Sequence, residues 1–350
     1  MKRSGKRTRQ VRAGSVLIGG GAPVSVQSMT KTRTADAKAT SAEINRLAAA
    51  GCEIVRVAVK DEADAAAIAR IKPKIRIPLV ADIHFNWKLA MASMESGADK
   101  IRLNPGNICK KAEVREICAL AKRRGIPIRV GLNSGSVKRK GDQVRDMVSS
   151  AKGYIRTLEG FGFRDIVVSL KCQNVRDTVR AYREMSAACG YPLHVGMTAT
   201  GAAPAGIIKS SAAIGSLLLD GIGDTIRISL TDDPSEEVAV GRCLLQSLGL
   251  RAFAPEVISC PTCGRCQVDL VSIVNRLEKE LASARFGKKA SAEQIAVMGC
   301  EVNGPGEARQ AALGVAFGRG AGLLFKRGTP LRKVAAKDCV KELLKEIRKL

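Results

Sequence analysis

The chain has 350 residues, 45% of them hydrophobic, and 58 Lys and Arg against 33 Asp and Glu give it a formal net charge of +25. That length supports one large domain plus a smaller one, and the longest apolar runs are far shorter than a membrane span. So large a positive charge calls for an anionic substrate or an acidic partner, whereas an aromatic content of 3% leaves few stacking platforms for nucleic acid.

The opening "MKRSGKRTRQVR" has no apolar stretch and reads as a basic arm leading into the first strand, not as an export signal. Eight β-rich runs follow: "VSVQSMT" (24–30), "IVRVAV" (54–59), "PLVADIH" (78–84), "KIRLNPG" (100–106), "IRVGLN" (128–133), "DIVVSLK" (165–171), "LHVGMT" (193–198) and "TIRISLT" (225–231). Stretches such as "SAEINRLAAAG", "NWKLAMASMESG", "KAEVREICALAKRRG" and "VRDTVRAYREMSAACG" separate them. Each has apolar residues at three-to-four spacing and ends at Gly, as helices do. Strand alternating with helix implies parallel strands and right-handed crossovers. Eight such units predict a (β/α)8 TIM barrel over residues 1–250. A doubly wound open sheet is the alternative, but no Gly-rich fingerprint follows the first strand.

A buried parallel strand is ordinarily Val, Ile and Leu throughout. These strands instead turn polar toward their C-terminal ends: Gln27 and Ser28, Arg56, Asp82 and His84, Arg102 and Asn104, Arg129 and Asn133, then Lys171, His194 and Thr198, and last Arg227 and Ser229. Several of these pairs are two apart and share a face. In a barrel that face is the interior, and active sites form at the C-terminal mouth. Arg56, Arg102, Arg129 and Lys171 converging there would repel one another without an anion between them. A diphosphate is the natural occupant, because Arg forks match phosphate oxygens. Removing Arg102 or Arg129 is then expected to weaken ligand binding and leave the unliganded fold at least as stable. His84 and His194 are the only histidines, and His84, two residues after Asp82, is the candidate catalytic one.

Beyond "LGLRAFAPEVIS" the pattern changes. Cys260, Cys263 and Cys266 are spaced three apart, and Cys300 follows in "MGCEVNGPGE" after the predicted helix "VDLVSIVNRLEKELASA" and strand "QIAVMGC". Thiolates in this spacing suit an iron–sulfur cluster or a zinc ion. Gly304, Pro305 and Gly306 allow a tight turn that lets Glu307 reach the metal held by Cys300. A carboxylate is a harder, weaker ligand for iron than thiolate, and leaves that position exchangeable. Cys52, Cys109, Cys118, Cys172, Cys189, Cys243 and Cys339 stand singly and read mostly as buried reduced thiols, with cytoplasm as the expected compartment.

Taken together, "VQSMT", "GCEIVRVAV", "ADIHF", "KIRLNPGNI", "SCPTCGR" and "MGCEVNGPGEA" resemble the 4-hydroxy-3-methylbut-2-enyl diphosphate synthases of the methylerythritol phosphate route to isoprenoids, in their short bacterial form. The resemblance implies a TIM barrel over 1–250 and, over 251–350, a smaller α+β domain similar to the cluster domains of sulfite and nitrite reductases. It implies one [4Fe–4S] cluster on Cys260, Cys263, Cys300 and Glu307, which leaves Cys266 without a ligand role. The implied substrate is 2-C-methyl-D-erythritol 2,4-cyclodiphosphate, held by Arg56, Arg102, Asn104, Arg129, Asn133 and Lys171, with Glu307, Asp82 and His84 as catalytic residues. Flavodoxin or ferredoxin is the implied electron donor. A head-to-tail homodimer is the implied assembly, with no nucleic-acid or membrane partner.

One position departs from the family. Relatives run from the seventh strand into Thr-Glu-Ala-Gly, whose Glu is associated with proton transfer, whereas this chain reads "MTATGA" with Ala199 in that place. Either another acid substitutes, Asp82 being the nearest candidate, or turnover is slow. The competing expectations are a divergent paralogue with weak turnover and a zinc-stabilised nucleic-acid-binding protein.

Overall fold

The computed structural model describes residues 7–137, 141–284, 286–302, 306, 308–309 and 311–350. The chain divides into two compact units between Arg251 and Ala252.

The first half of the expected basic arm, residues 1–6, lies outside the described residues, and the end of the arm runs into a hairpin. Strands β1 (Val11–Ala13) and β2 (Val16–Ile18) pair antiparallel around Gly14, whose φ of 53° is a left-handed value that suits glycine. Ala13 and Ile18 pack with Ile54 and Val80, so the hairpin closes the N-terminal end of the strands that follow. Three-residue strands are too short to show a period, which is why the sequence pattern does not reveal them.

Eight parallel strands then form one sheet: β3 (Ser25–Met29), β4 (Ile54–Val59), β5 (Leu79–Ile83), β6 (Lys100–Leu103), β7 (Ile128–Asn133), β8 (Ile166–Lys171), β9 (His194–Gly196) and β10 (Thr225–Arg227). Their order is β8-β7-β6-β5-β4-β3-β10-β9. A parallel bridge between Val168 and Leu193, with the Val168 N–H 2.9 Å from the Pro192 carbonyl, brings β8 to β9 and closes the barrel. The predicted TIM barrel is therefore present, and the open sheet is not. Its outer helices are α1 (Ala37–Ala49), α2 (Glu62–Ile71), α3 (Trp87–Glu95), α4 (Lys111–Arg124), α5 (Gln143–Gly160), α6 (Val175–Ala188), α7 (Ala205–Leu219) and α8 (Pro234–Ser247). Gly125 ends α4 in the left-handed conformation, as the Gly-terminated pattern predicts. α6 differs: it stops at an extended Cys189, one residue before its glycine.

The second unit has a five-stranded sheet. β11 (Glu256–Ser259), β12 (Gln294–Met298) and β13 (Leu313–Phe317) run parallel, and β14 (Gly322–Lys326) and β15 (Thr329–Val334) extend it antiparallel. Between β11 and β12 lie α9 (Leu270–Ser283), the helix expected from sequence, and the short α10 (Lys288–Ser291); α11 (Cys339–Ile347) follows β15. Leu270, Ile273 and Leu277 of α9 and Val340, Leu343 and Ile347 of α11 share one apolar cluster with Ile295, Val297, Leu313 and Val315 of the sheet. Among the described residues no helix is long and apolar enough to cross a membrane.

Candidate active site

The barrel interior is built by the period of two. Lys100 and Arg102 share the inner face of β6, with Asn104 following it in the same alternation. Register sets Arg102 beside Asp82 of β5 on one side and Arg129 of β7 on the other. Two glycines give the long side chains room. A Cβ at Gly131 would lie 2.6 Å from Arg102 Nε, and one at Gly196 would lie 2.8 Å from Lys171 Nζ. Any side chain there would push a cation off the barrel axis.

Asp82 is the hub. Arg102 Nη1 donates to its Oδ1 at 3.1 Å, Arg56 Nε lies 3.8 Å from Oδ2, and His84 Nε2 lies 3.5 Å from Oδ2. Burial pushes the Asp82 carboxyl upward, but Arg56, the His84 hydrogen bond, Arg102 and Arg129 together hold it well below the usual carboxylate range. Arg102 is fixed further by a 2.9 Å bond from Nη2 to the Gly131 carbonyl. Its Nη1 also stands 2.9 Å from His84 Nε2. His84 Nε2 therefore faces both the Arg102 guanidinium and the Asp82 carboxylate.

This geometry corrects two expectations. The cations have an internal anion, so Arg102 is a structural partner of a buried acid as well as a candidate phosphate contact. Its removal would leave Asp82 poorly compensated, and the unliganded fold is not expected to gain from it. Held ionised among cations, Asp82 is also unsuited to replace a missing proton donor.

Deeper in the barrel the charges lose their partners. Arg129, 1% exposed, donates from Nη1 to Gln27 Oε1 at 3.2 Å, while its Nε meets no acceptor among the described residues. Lys100 is fully buried with no hydrogen-bond partner for Nζ, and Gln27 Nε2 and His194 Nε2 are in the same state. Burial, then Arg129 and Arg56, drive the Lys100 pKa far down. Burial, then Arg227, Arg56 and Arg129, do the same to Lys171. Arg56 is pushed down to about 10, by burial first and then, against the pull of Asp82, by Arg227 and Arg102. His194 opens β9 instead of closing it, and burial with Arg129, Lys171 and Lys100 nearby keeps its imidazole neutral. Arg129 too lies near the start of β7, so neither residue stands at the C-terminal strand end where the sequence pattern puts them.

Two members of the site escape sequence reasoning. Lys100 has a signal, since it repeats the alternation of Arg102 and Asn104 one step earlier. Glu237, on the first turn of α8 and 1% exposed, has none in the strand pattern. It takes Arg227 Nε at 3.1 Å and Nη2 at 3.0 Å, Ser28 Oγ at 2.8 Å and the Leu230 N–H at 3.1 Å. The Arg227 charge is thereby matched inside the protein.

At the mouth, Asn104 Oδ1 accepts from the Gly106 N–H at 3.1 Å, and the Asn133 carbonyl accepts from Ser136 Oγ at 2.8 Å. Their loops touch, since a Cβ at Gly106 would meet the Ser136 carbonyl at 2.5 Å. Ala199 is exposed at a φ of 54°. The residues flanking it are anchored, Thr198 N–H to the Cys172 carbonyl at 3.2 Å and Thr200 Oγ1 to the Ser229 carbonyl.

In the second unit, Cys260 and Cys300 come together through Gly299, whose N–H donates to Cys260 Sγ at 3.3 Å. Cys300 is buried, Cys260 half-buried and Cys263 exposed. Cys266 turns away from solvent: its thiol donates to the Val268 carbonyl at 3.2 Å and it packs against the apolar cluster of α9 and α11. It also lies where a Cβ on Gly299 would be, at 2.4 Å. Glu307, with Gly304 and Pro305 of its turn, lies outside the described residues. Among those described, no three His, Cys, Asp or Glu side chains close on one point as a single ion needs. Of the solitary cysteines, Cys52, Cys118, Cys172 and Cys339 are buried, and burial pushes each thiol up to about 12. Cys109 and Cys243 depart from the expectation and are exposed.

Residues 8–242 match the GcpE TIM-barrel domain, and residues 256–349 match the GcpE protein C-terminal domain. The chain belongs to the GcpE family. Relatives with the curated name 4-hydroxy-3-methylbut-2-en-1-yl diphosphate synthase (flavodoxin) include that of Anoxybacillus flavithermus, 51% identical over 98% of this chain and 95% of its own length. That of Shouchella clausii is 52% identical over 99% and 94%, and that of Ruminiclostridium cellulolyticum 49% identical over 98% of both. The family read from the sequence motifs is thus borne out, and a zinc-stabilised nucleic-acid-binding protein is not supported. In fold alone, this chain resembles the dihydropteroate synthases of Yersinia pestis (TM-score 0.51, 14% identity, 69% of this chain and 98% of that one) and Coxiella burnetii (TM-score 0.51, 12% identity, 70% and 100%).

Proposed function

We propose that this GcpE-family chain opens the ring of 2-C-methyl-D-erythritol 2,4-cyclodiphosphate reductively and dehydrates it to 4-hydroxy-3-methylbut-2-enyl diphosphate. The observation that carries the reading is the surplus of buried cations in the barrel of a chain so close, end to end, to synthases of that name. Lys100, Arg102, Arg129 and Lys171 are all buried and Arg56 stands beside them, against one acid, Asp82, that Glu237 does not already duplicate through Arg227.

The chemistry uses that surplus. Each phosphorus of a cyclic diphosphate has one ionised oxygen, so the substrate is a dianion. Two electrons and one proton enter, a ring C–O bond breaks, and a hydroxyl leaves as water. The opened diphosphate keeps the oxygen of the broken bond and carries a third negative charge. Arg56, Arg102, Arg129 and Lys171 bind the phosphates, and Asn104 and Asn133 orient them at the mouth. Arg102 is held ready by Asp82 and Gly131, which lowers the cost of ordering it on binding. Lys100 and Lys171, driven toward neutrality in the empty barrel, regain protons as negative charge arrives. His84 stands beside Arg102 and Asp82, where its ring can pass a proton to the bound ligand.

The cysteines of the second unit suit an iron–sulfur centre. The amide–sulfur bond from Gly299 to Cys260, beside a buried Cys300, is the kind of contact that tunes such centres. We place one [4Fe–4S] cluster on Cys260, Cys263, Cys300 and Glu307. When bound, it supplies single electrons and an iron with an exchangeable ligand position. A flavodoxin is the donor named for the relatives and we propose it, or a ferredoxin, here. We further propose a head-to-tail homodimer in the cytoplasm, in which the cluster of one subunit serves the barrel of its partner. Mixing an Arg102→Ala variant with a Cys263→Ser variant should then restore activity that neither has alone.

The reaction is tested by anaerobic turnover of the cyclodiphosphate with dithionite and methyl viologen as reductant. Formation of the linear allylic diphosphate is expected. A protein with full iron and sulfide that binds the cyclodiphosphate without consuming it would contradict the proposal.

A further inference from the structure

The second unit carries a groove of about 630 Å³ between α9 and α11. Its rim holds five cations, Arg276 and Lys279 from α9 and Lys341, Lys345 and Arg348 from the C-terminal helix and its cap, with a single acid, Glu280. A chain so basic has lysines everywhere, so the arrangement has to be distinguished from the average. Lys341, Lys345 and Arg348 fall at i, i+4 and i+7, one stripe of α11. The acids of that helix lie on the adjoining face and are already matched: Arg332 is 2.5 Å from Glu342 and 3.1 Å from Glu346, and Lys349 is 3.0 Å from Glu346. All five rim cations are exposed, and none is in an ion pair among the described residues. The helix has sorted its charges into a positive stripe beside an acidic face. Among the described residues the stripe touches that face only through the field of Lys345 and Lys341 on Glu342, whose carboxyl Arg332 first and then these lysines hold down.

The floor of the groove is Val340 and Leu344. Val340 belongs to the apolar cluster against which Leu344, Cys260 and Cys266 all pack. α9 itself starts at Leu270, directly after the cysteine loop. An apolar floor inside a charged rim is the composition of a protein–protein contact. No aromatic side chain lines it, so it lacks the stacking surface that single-stranded nucleic acid uses.

We infer that the groove between α9 and α11 is the docking surface for a small acidic electron-carrier protein. The inference rests on the proposed reductase reading and assigns the face by which that donor reaches the cysteine unit. Positive potential on this stripe would steer the donor and fix its orientation, raising the rate of productive encounter.

The test uses the Lys279→Glu/Lys345→Glu double variant of the cluster-loaded, full-length protein, with Lys122→Glu/Arg123→Glu on α4 of the barrel as a basic-surface control. Turnover is driven in parallel by purified flavodoxin and by dithionite with methyl viologen. The groove variant should raise the flavodoxin KM by about tenfold at low salt, flatten its salt dependence, and leave viologen-driven turnover unchanged. The control variant should stay within about twofold of the native KM. Binding of oxidised flavodoxin, followed by calorimetry, reads docking without turnover and should weaken about tenfold in the groove variant alone. Equal effects in both variants, or none in the groove variant, would overturn the docking site. Loss of dimerisation in the groove variant would assign the face to a second copy of the chain and overturn it too. Native protein that binds flavodoxin through the groove but fails with viologen would sink the reaction reading and leave the docking surface standing.

Discussion

The two units of this chain place their charges in opposite ways. The barrel takes cations inside, where Lys100 and Arg129 are 0% and 1% exposed, and compensates them incompletely. The second unit keeps an apolar interior and gathers five of its exposed cations along one groove. Burying unpaired charge costs several kcal/mol per ion even after relaxation, whereas an exposed charge costs almost nothing. An interior surplus therefore persists only where a ligand returns the energy. An exterior stripe is inexpensive and acts at long range on encounter. The same residue types thus report a small anionic substrate in one unit and a protein partner in the other.

The comparison breaks most visibly at the cysteines. Cys263→Ser is expected to lose the cluster, and Cys266→Ser to keep it, because the Cys266 thiol already faces Val268 and the apolar cluster. Iron and sulfide per chain check this. Equal loss in both variants would move Cys266 into the ligand set.

Ala199→Glu tests the missing acid. General acid–base assistance is typically worth about 100- to 10,000-fold in rate, so restoring the carboxylate should raise turnover while diphosphate affinity and iron content stay as they are. The backbone there already tolerates a side chain at positive φ, and the position is exposed, so the substitution should fold. A native enzyme that is fast, with the variant equal or slower, would mean that Thr198, Thr200 or His84 with solvent already delivers the proton.

Arg102→Ala sharpens the barrel half. It should weaken binding of the cyclodiphosphate and also lower the unliganded stability, by less than the about 3–5 kcal/mol of a broken buried pair, because Arg56 still faces Asp82. The double change Arg102→Ala/Asp82→Ala should recover part of that loss, and denaturant melts of the three variants measure it. An unchanged melt for Arg102→Ala would restore the simpler picture of mutually repelling arginines.

Lys100→Met should act with the opposite sign. It removes a buried group with no partner and replaces it by an apolar one of similar volume, so the unliganded fold should gain about 1–3 kcal/mol. The pH dependence follows from the same shift. The Lys100 and Lys171 pKa values are lowered in the folded protein, while an unfolded lysine titrates near about 10.4. Between those limits the unfolded chain binds more protons, so stability rises with pH. The trend reverses above about 8.5, where unfolded cysteines ionise and the four buried thiols of Cys52, Cys118, Cys172 and Cys339, raised to about 12, do not. Lys100→Met should flatten the rising limb.

Much of this was legible in the sequence because the signals were periodic. Eight strands separated by helical patterns specify the barrel, and the polar residues two apart specify its inner face. The cysteine spacing by itself leaves iron–sulfur and zinc open, and it is the run of motifs from "VQSMT" to "MGCEVNGPGEA" that carries the resemblance to the family. What escaped was set by side-chain partners across the fold. Nothing in the strand patterns pairs Arg227 with Glu237 of a helix, or shows that Asp82 already neutralises part of the cation set. The hairpin at Val11–Ile18 was too short to have a period. Arg129 and His194 lie near the starts of their strands and not at the C-terminal ends, because alternation fixes the face of a residue and not its height in the barrel.

The direct test of the central claim, that buried lysines of the barrel give up charge when empty and regain it for an incoming diphosphate, is a proton count on binding. The cyclodiphosphate is titrated anaerobically into the cluster-loaded protein near neutral pH, in buffers of different ionisation enthalpy. Net proton uptake is expected, as Lys100 and Lys171 regain charge beside the phosphates, and it should shrink in Lys171→Met. Tight binding with no proton taken up, in native protein and variant alike, would show that the lysines stay in one charge state throughout and would contradict the claim.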